Sequence, residues 1–225
     1  MQYSSPYQPP IVTVDAIIFQ MLNDTLTVLV AKRTDEPFKG QWALPGGYSA
    51  AGQTTMEALV QKVKAKAGVD LDNEINYIEQ LYTFDTVGRD PRGHAVSISY
   101  VACGVDIEPT DGSHEIKFLP VDSLPHLAYD HSEIIAYARE RIANKLLFTN
   151  IAFSLLPEKF TLTQLQATYE AVMGRDLDKR NFRKKFLSLN LIHETGETWR
   201  EGAHRPAALY AFNNKGIETI ARNFD

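Results

Sequence analysis

The chain has 225 residues and a formal net charge of −5, and its composition, 44% hydrophobic and 23% charged, is that of a globular protein with one large or two small domains. No apolar segment reaches the roughly 20 residues of a membrane-spanning helix, and the N-terminal sequence MQYSSPYQPP lacks the basic and apolar regions of a secretory signal peptide. The single cysteine, Cys103, excludes a disulfide framework within the chain, so we expect a cytoplasmic protein.

The first part of the sequence alternates between strand-like and helical patterns. Ile11–Gln20 and Leu26–Arg33 are rich in β-branched and apolar residues, and the Asn23-Asp24 pair between them predicts a β-hairpin. After a loop rich in proline and glycine, apolar residues at helical spacing predict a helix over Thr54–Ala67, which Gly68 ends. These patterns favour an α/β domain with an antiparallel or mixed sheet flanked by two helices. Further strands and the second helix are predicted at Tyr77–Val87, Ala95–Val105, Glu115–Leu119 and His131–Ala143.

The last third of the chain has a different pattern, in which helices are followed by a hairpin. The stretch Thr161–Gln164 has the form of a capping box at the start of a helix that Gly174 ends. A second helix is predicted over Asp178–Leu189, and a β-like return follows at Ala207–Phe212. Together with a short helix at Asn150–Leu156, this order predicts a small α+β winged helix-turn-helix domain.

The boundary between the two parts is predicted near Lys145–Thr149, which gives domains at residues 1–148 and 149–225. The first carries 12 Lys+Arg and 19 Asp+Glu, whereas the second carries 11 and 9. Within the second, the run KRNFRKK (Lys179–Lys185) places five positive charges in seven positions. The two domains are therefore expected to meet different partners.

Residues 46–69, GGYSAAGQTTMEALVQKVKAKAGV, begin like a phosphate-handling loop and continue into the first predicted helix. They resemble the Nudix box, G-x5-E-x7-R-E-U-x-E-E-x-G-U with U aliphatic, and they keep its spacing without insertion or deletion. The preceding WALPGG (Trp42–Gly47) is also typical of the Nudix family. The resemblance implies a Nudix-like mixed sheet between helices. The residues that match the pattern are Gly47, Val63, Gly68 and Val69.

Every acidic position of the Nudix pattern is lost in this chain. Gln53 replaces the first glutamate, Gln61 the arginine and Lys62 the glutamate after it, while Ala65 and Lys66 replace the final pair. Magnesium requires carboxylate oxygens, but the two lysines lie four residues apart and therefore share one face of the helix. That face repels a dication. We expect no catalytic residue, no bound metal and no pyrophosphate hydrolysis through this helix.

Acidic residues elsewhere in the chain are the alternative source of metal ligands. Glu57 is unsuitable because, five residues before Lys62 on the helix, it points well away from the lysine face. The remaining candidates are Glu115, Asp85 and Asp90. With ligands from these positions, the chain would be an active ADP-ribose pyrophosphatase.

Loss of the carboxylates does not require loss of ligand binding. Backbone amides near Gly46-Gly47 can face phosphate oxygens, and the Lys66 ammonium can offset phosphate charge that a metal would otherwise neutralise. We therefore expect the first domain to sense a nucleotide diphosphate rather than cut it, the alternative being a loop retained only for structure. Trp42 fits a core position equally well. The expected ligand contacts are Arg33, Trp42, Gly46, Gly47, Lys66, Arg89 and Arg92.

The basic run Lys179–Lys185 is predicted to be the recognition helix of the winged helix-turn-helix. Phe182 and Phe186 would face the core, which leaves Asn181 and the cations on other sides, and Asn and Arg side chains can read base edges in the major groove. A protein-interaction adaptor with a solvated basic helix is the alternative. The expected DNA contacts are Lys179, Arg180, Asn181, Arg183 and Lys184 on the helix and Arg200, His204 and Arg205 in the wing.

The full chain resembles the Nudix-related transcriptional regulators of NAD metabolism. The most specific part is NIAFSLLPEKFTLTQLQATYEAVMGRDLDKRNFRKKF (Asn150–Phe186), continued by HETGE (His193–Glu197) and RPAALYAF (Arg205–Phe212). The resemblance implies a homodimeric repressor of NAD biosynthesis or salvage genes that binds a near-palindromic operator. It also implies ADP-ribose as the effector that weakens operator binding. The Lys145–Thr149 junction is expected to move when the effector binds.

Overall fold

The computed structural model of the chain describes residues 9–110, 114–200 and 206–220. A sheet domain comes first, and a smaller domain of helices and one β-hairpin follows it. No helix within the described ranges is long and apolar enough to cross a lipid bilayer.

A mixed sheet forms the first domain, and the described residues contribute seven strands to it. The order is β3-β2-β1-β6-β5, with β4 paired to β1 and β7 paired to β2. The pairing of β1 with β6 is parallel, and the other pairings are antiparallel. The turn between the first two strands uses positive φ at Asn23 and Asp24, as the predicted hairpin requires. The strands are β1 (Ile11–Leu22), β2 (Thr25–Lys32), β3 (Trp42–Ala43), β4 (Gly46–Tyr48), β5 (Tyr77–Phe84), β6 (Ala95–Cys103) and β7 (Ile116–Pro120).

One helix covers each face of the sheet, because side chains of β1 alternate between two separate cores. Ala16 and Ile18 pack with α1 (Thr55–Ala67), whereas Ile17 and Phe19 pack with α2 (His131–Leu146). Helix α1 begins at a capping box and ends at Gly68 in the left-handed region. The sheet between helices that the sequence predicted is therefore confirmed.

The second domain has the order of a winged helix. The short helix predicted at Asn150–Leu156 is a 3-10 helix at Ile151–Leu155. The predicted capping box joins Thr161 to Gln164 at the start of the next helix. The remaining elements are α3 (Leu162–Met173), α4 (Lys179–Ser188), β8 (Ile192–Trp199) and β9 (Ala207–Phe212).

The two domains share one hydrophobic core rather than meeting through a free linker. Ile142 and Leu146 at the end of α2 are buried with Leu165 and Tyr169 of α3. The Lys145–Thr149 junction is part of this packed structure, since the Thr149 N–H donates to the Lys145 carbonyl at 2.8 Å and the Ile220 N–H donates to the Phe148 carbonyl at 2.7 Å. Any change in domain orientation therefore has to involve the packed helices and not this junction alone.

Candidate functional site: a cationic cavity and a basic helix

A cavity of about 260 Å³ lies at the point where β1, β4, α1 and the start of α2 meet. Six of the seven predicted ligand contacts line it; the seventh, Trp42, lies elsewhere. Of the acidic and aromatic residues of the lining, the sequence analysis named only Asp90, as a candidate metal ligand. The full lining is Thr13, Asp15, Arg33, Asp35, Glu36, Gly46, Gly47, Tyr48, Lys62, Lys66, Arg89, Asp90, Arg92, Tyr129 and His131.

The close approach of β4 to β1 explains the first glycine of the loop. Gly46 is paired with Asp15, and a Cβ at Gly46 would overlap the Val14 carbonyl oxygen and the Asp15 carboxylate. A side chain at this position would therefore push β4 away from the sheet. The glycine lets the backbone of the loop form one wall of the cavity.

Helix α1 presents lysines to the cavity where a Nudix box would present carboxylates. Lys62 and Lys66 both line it, as their spacing of four residues predicted. Burial lowers the pKa of the Lys66 ammonium, and the nearby charges of Arg33 and Lys62 lower it further, against the opposing effect of Asp15. An anion bound in the cavity would relieve both unfavourable effects, because it would offset the lost hydration and the repulsion.

Hydrogen bonds between nearby residues hold the loop before α1. Gln53 Nε2 donates to Gln61 Oε1 at 3.2 Å, so the two positions at which the Nudix pattern has glutamate and arginine still contact each other. The Glu57 carboxylate accepts from the Thr54 N–H at 2.8 Å and from its hydroxyl at 2.9 Å. These bonds lower the pKa of Glu57 and keep its carboxylate at the N-terminus of the helix.

Two of the acidic residues that the sequence offered as metal ligands are paired with cations. Asp90 accepts from Arg92 Nη2 at 2.6 Å, and Glu115 lies outside the lining, 3.0 Å from the ammonium nitrogens of both Lys32 and Lys117. Asp85 does not line the cavity either. Within the described part of the chain, no group of three or more histidine, cysteine, aspartate or glutamate side chains is arranged to hold a metal ion.

A buried ion pair joins the cavity to the start of α2. The Arg89 guanidinium is 4% exposed and donates to both carboxylate oxygens of Asp130, at 2.9 and 2.7 Å. Arg89 also lies 3.9 Å from the Asp15 carboxylate. The neighbouring His131 accepts from the Leu44 N–H through Nδ1 at 2.9 Å, and burial lowers its pKa. A neutral imidazole next to a buried arginine adds no further positive charge to the cavity.

Two tyrosines place aromatic faces beside the arginines of the cavity. The Arg33 guanidinium lies 5.0 Å from the ring centre of Tyr129, and that of Arg92 lies 5.3 Å from the ring of Tyr48 and 5.9 Å from Tyr129. Such stacking holds planar cations in place at the cavity wall. Tyr48 follows the glycine pair directly and was within reach of sequence analysis, whereas no local pattern identifies Tyr129.

Trp42 lies outside the cavity and does not match the predicted ligand contact. It is paired with Lys32 across β2 and β3, and its ring lies 5.7 Å from the Lys32 ammonium and 5.4 Å from that of Lys117. The ring also packs against the core on the α2 side of the sheet. The physical reason is the alternation of side chains along a strand, which turns this ring to the face opposite α1.

Helix α4 presents most of its predicted DNA-contacting side chains to solvent. Lys179, Arg180, Asn181 and Lys184 are exposed. The opposite side is fixed, since Phe182 and Phe186 pack in edge contacts on Tyr169 of α3. The side chain of Asp178 caps the helix by accepting from the Asn181 N–H at 2.8 Å.

Arg183 is less exposed than the other predicted DNA contacts on the helix. It is half-buried, and its Nη2 donates to Thr163 Oγ1 at 3.0 Å at the N-terminus of α3. Its Nε is buried without a hydrogen-bond partner among the described residues. In the wing, Arg200 is exposed at the end of β8, and His204 and Arg205 lie outside the described residues. Contact between α3 and α4, which the sequence pattern does not reveal, decides the placement of Arg183.

Two family models match separate parts of the chain. A Nudix domain model matches residues 10–138, and a model of the NrtR DNA-binding winged helix domain matches residues 152–212. The ADPR responsive transcriptional repressor NtrR of Acinetobacter baylyi is 34% identical over 216 residues, which are 92% of this chain and 84% of that protein. The chain belongs to the NrtR family.

Crystal structures of Shewanella oneidensis NrtR are similar to this NrtR-family chain in both domains. The structure in complex with a 27mer DNA has a TM-score of 0.73 and 31% identity, over 90% of this chain and 93% of that one. The Nudix domain in complex with ADP ribose has a TM-score of 0.55 and 32% identity, over 62% of this chain and 94% of that one. The predicted combination of a Nudix-like domain and a winged helix is confirmed.

A relative with a different activity shares the first domain only. The ADP-ribose pyrophosphatase of Methanocaldococcus jannaschii is 36% identical over 132 residues, which are 57% of this chain and 73% of that protein. Relatives that are similar to the Nudix domain thus include both a repressor and a hydrolase, so similarity of this domain alone does not decide the activity. The side chains of the cavity have to distinguish the two activities in this NrtR-family member.

Proposed function

We propose that this protein is a transcriptional repressor whose Nudix domain binds ADP-ribose without hydrolysing it, and that ADP-ribose weakens its binding to operator DNA. The observation that carries the proposal is the cavity, in which Lys62 and Lys66 of α1 stand where a Nudix box has carboxylates. The proposed domains are residues 1–148 for the ligand and 149–225 for DNA. A repressor acts where the DNA is, so we place it in the cytoplasm.

The charge of the cavity supports binding of a diphosphate. Lys62 and Lys66 converge on it from α1, and Arg33 reaches it from the end of β2. These cations are partly buried, and ion pairs are stronger where water is excluded. The exposed ring of Tyr48 at the same cavity offers an aromatic surface on which a nucleoside base can stack, whereas the ring of Tyr129 already contacts Arg33 and Arg92. The proposed ligand contacts are Arg33, Gly46, Gly47, Lys66, Arg89 and Arg92, to which we add Tyr48, Lys62 and Tyr129.

The same charges argue against hydrolysis. Metal-assisted attack on a pyrophosphate needs a cation held by carboxylate oxygens, which activates water and neutralises the leaving group. An ammonium can neutralise charge, but it does not generate hydroxide at neutral pH. The substitutions Gln53, Lys62, Ala65 and Lys66 therefore favour a protein that keeps its ligand intact. A sensor that destroyed its effector would lose the signal.

The second domain supports the DNA-binding part of the proposal. Exposed Lys179, Arg180, Asn181 and Lys184 project from a helix whose other side is fixed by aromatic packing. We propose that this helix enters the major groove and that Arg183, Arg200, His204 and Arg205 add contacts around it. A homodimer would place two such helices on a near-palindromic operator, with half-sites separated by about one helical turn or a multiple. The proposed targets are NAD biosynthesis or salvage genes.

The first experiment is calorimetric titration of ADP-ribose into the full-length protein, without Mg²⁺ and then with it, followed by a check of the ligand for cleavage. We expect saturable binding in both conditions and intact ligand. Operator affinity is then measured with and without saturating ADP-ribose, and a decrease is expected. Absence of ADP-ribose binding would overturn the sensor function, and an unchanged operator affinity would overturn the effector role alone.

An active ADP-ribose pyrophosphatase is the second candidate function. Two observations favour it: the similarity to the Methanocaldococcus jannaschii enzyme, and the presence of Asp15 and Asp90 in the cavity lining. Mg²⁺-dependent release of AMP at a rate proportional to protein concentration would establish it. An unchanged rate in an Asp15→Asn, Asp90→Asn double variant would exclude these two carboxylates as the metal ligands.

A protein-interaction adaptor is the alternative for the second domain. Phosphate contacts make DNA binding strongly dependent on salt, because condensed counterions are released. Titration of duplex DNA at several salt concentrations therefore distinguishes a DNA-binding domain from a protein-interaction adaptor. A winged helix that bound duplex DNA at none of them would favour the adaptor.

A further inference from the structure

Helix α2 contacts both the ligand cavity and the DNA-binding domain. Its N-cap residue Asp130 holds Arg89, and its first residue His131 lines the cavity. Its last residue, Leu146, is buried with α3 and accepts from the Tyr169 hydroxyl at 3.4 Å. Its 16 residues span about 24 Å. A single rigid element therefore connects the two sites.

Arg139, in the middle of α2, fixes the C-terminus of α3. Its Nη2 donates to the Ala171 carbonyl at 2.7 Å and its Nε to the Val172 carbonyl at 3.0 Å. The last-turn carbonyls of a helix have no partner within it, and they attract a cation. The third nitrogen, Nη1, donates to Asp122 at 2.6 Å, so the guanidinium is held from both sides. These bonds set the position of α3 on the first domain.

The turn after α3 is shaped to accept this contact. Gly174 ends α3 with φ +66°, and a Cβ there would lie 3.0 Å from Nη2 of Arg139. A larger residue would be strained at this φ and would crowd the guanidinium. The sequence thus leaves room for Arg139 at the end of α3.

Helices α3 and α4 move as one unit. The Glu170 carboxylate accepts from the Leu177 N–H at 2.8 Å, which fixes the turn between the helices. Tyr169 contacts the rings of Phe182 and Phe186 with centroids 5.2 and 5.6 Å away. A displacement of α3 against the first domain therefore displaces the basic helix α4 by a similar amount.

At the cavity end, the Asp130 carboxylate binds Arg89 instead of capping α2. Asp130 is the N-cap residue, yet its side chain accepts no hydrogen bond from the helix. An anion bound in the cavity would be a second acceptor for the same buried guanidinium, whose Nε and Nη2 donate to Asp130. A shift of Arg89 towards that anion would weaken the bonds that hold the N-terminus of α2.

We propose that α2 couples the cavity to the DNA-binding domain, with the Arg89–Asp130 ion pair as its ligand-sensitive end and Arg139 as the residue that positions α3. This inference rests on the proposed function. A ligand that draws Arg89 away from Asp130 changes the position of the N-terminal end of α2. Arg139 then transmits that displacement to α3 and α4. Coupling between sites requires that ligand and DNA favour different arrangements of such an element.

The test is an Arg139→Gln variant of the full-length protein, compared with Arg141→Gln as the matched control. Arg141 lies on the same helix and carries the same charge, but it bonds to Glu79 of β5, within the first domain. For the wild type, saturating ADP-ribose should weaken operator binding by about 5–150-fold. Arg139→Gln should reduce this ratio to less than about twofold, and by the reciprocity of coupled binding operator DNA should then change ADP-ribose affinity by less than about twofold. ADP-ribose affinity in the absence of DNA should stay within about twofold of the wild-type value, because Arg139 does not line the cavity. Arg141→Gln should keep the wild-type ratio.

An Arg139→Gln protein with the wild-type ratio would overturn the inference and leave the proposed function intact. A wild type without any ADP-ribose effect would instead overturn the proposed function. Should Arg139→Gln fail to fold, Asp130→Asn serves at the other end of the helix. It removes the negative charge that holds Arg89, so operator affinity without ligand should fall towards the wild-type value with ligand. An Asp130→Asn protein with wild-type operator affinity and a wild-type ratio would overturn the inference in the same way.

Discussion

Helices α1 and α4 both present lysines, but to different environments. Lys62 and Lys66 of α1 face a cavity of about 260 Å³ together with arginines and carboxylates, whereas Lys179 and Lys184 of α4 are exposed to solvent. Partly buried cations can recognise one small anion, since water screens them less than it screens exposed cations. Exposed cations suit a polyanion, where binding is strong only through many screened contacts. The same residue type thus suits the proposed ligand cavity in one domain and the proposed DNA interface in the other.

The largest effect is expected at α4. Replacing Lys179, Arg180 and Lys184 together with alanine should weaken operator binding by about 1,000-fold and reduce the slope of log affinity against log salt by about 0.9 for each lost phosphate contact. ADP-ribose affinity should not change. Fluorescence anisotropy with labelled operator at several salt concentrations measures both quantities. An unchanged salt slope would show that these side chains do not meet phosphates.

Charge reversal on α1 tests the other side of the comparison. Lys66→Glu should weaken ADP-ribose binding by about 100-fold, because it replaces a charge-assisted bond with repulsion. Lys64→Glu is the matched control, since Lys64 lies on the same helix but pairs with Asp70 at 3.4 Å outside the cavity. Calorimetry measures both variants. Equal losses in the two would mean that the overall charge of α1, and not the cavity, attracts the ligand.

Arg183 lies between the two types of environment. It is half-buried against Thr163, so Arg183→Ala should weaken operator binding by about tenfold through loss of one positioned contact. Arg183→Lys should recover little, because a lysine cannot reproduce the planar guanidinium. The readout is operator affinity at fixed salt, together with the melting temperature. Unaltered operator affinity in Arg183→Ala would remove this residue from the DNA interface.

The pH dependence of ligand binding should report the buried lysine. Burial lowers the pKa of Lys66 below 10.5, and a bound diphosphate raises it again because the ligand favours the charged form. Affinity is therefore full below the pKa of the free protein and falls as pH rises through it, by up to about tenfold per pH unit. Calorimetry between neutral and alkaline pH measures the decline. In Lys66→Arg the decline should disappear, and its persistence would assign the titration to another group.

The smallest effect is expected at the neutral pair that replaces two Nudix charges. Gln53→Ala removes the bond to Gln61 and should lower the free energy of unfolding by about 1 kcal/mol or less. ADP-ribose affinity should change little, because neither glutamine lines the cavity. Thermal unfolding and calorimetry test the two statements. A large loss of ligand affinity with unchanged stability would show that the bond between Gln53 and Gln61 orders the loop for ligand binding.

Local sequence patterns predicted most elements of the fold. The capping box at Thr161 and Gln164 and the left-handed glycine at Gly68 are present because they depend on residues within one or two helical turns. The short helix predicted at Asn150–Leu156 is present as a 3-10 helix of five residues. Strands β3 and β4 were not predicted, because they have only two and three residues and lie in the stretch rich in proline and glycine.

The candidate site was predicted in part, and the missing part has a common cause. The lysines of α1 and the glycine pair were found because they lie within one motif. Asp15, Tyr129 and His131 were missed because they enter the cavity from β1 and from the start of α2, far away in the sequence. Trp42 was placed in the cavity by proximity to the motif, although the alternation of its strand turns it to the other face.

The sequence by itself determined two domains, the reversal of charge along α1 and the basic run of α4, because residue type and helical period suffice for each. Tertiary structure alone decided which charges are buried and which elements touch. The pairs Arg89–Asp130 and Arg139–Val172 join residues 41 and 33 positions apart. Contacts at such separations depend on how the sheet and helices pack, and no local pattern encodes them. That packing places one helix between the ligand cavity and the DNA-binding domain.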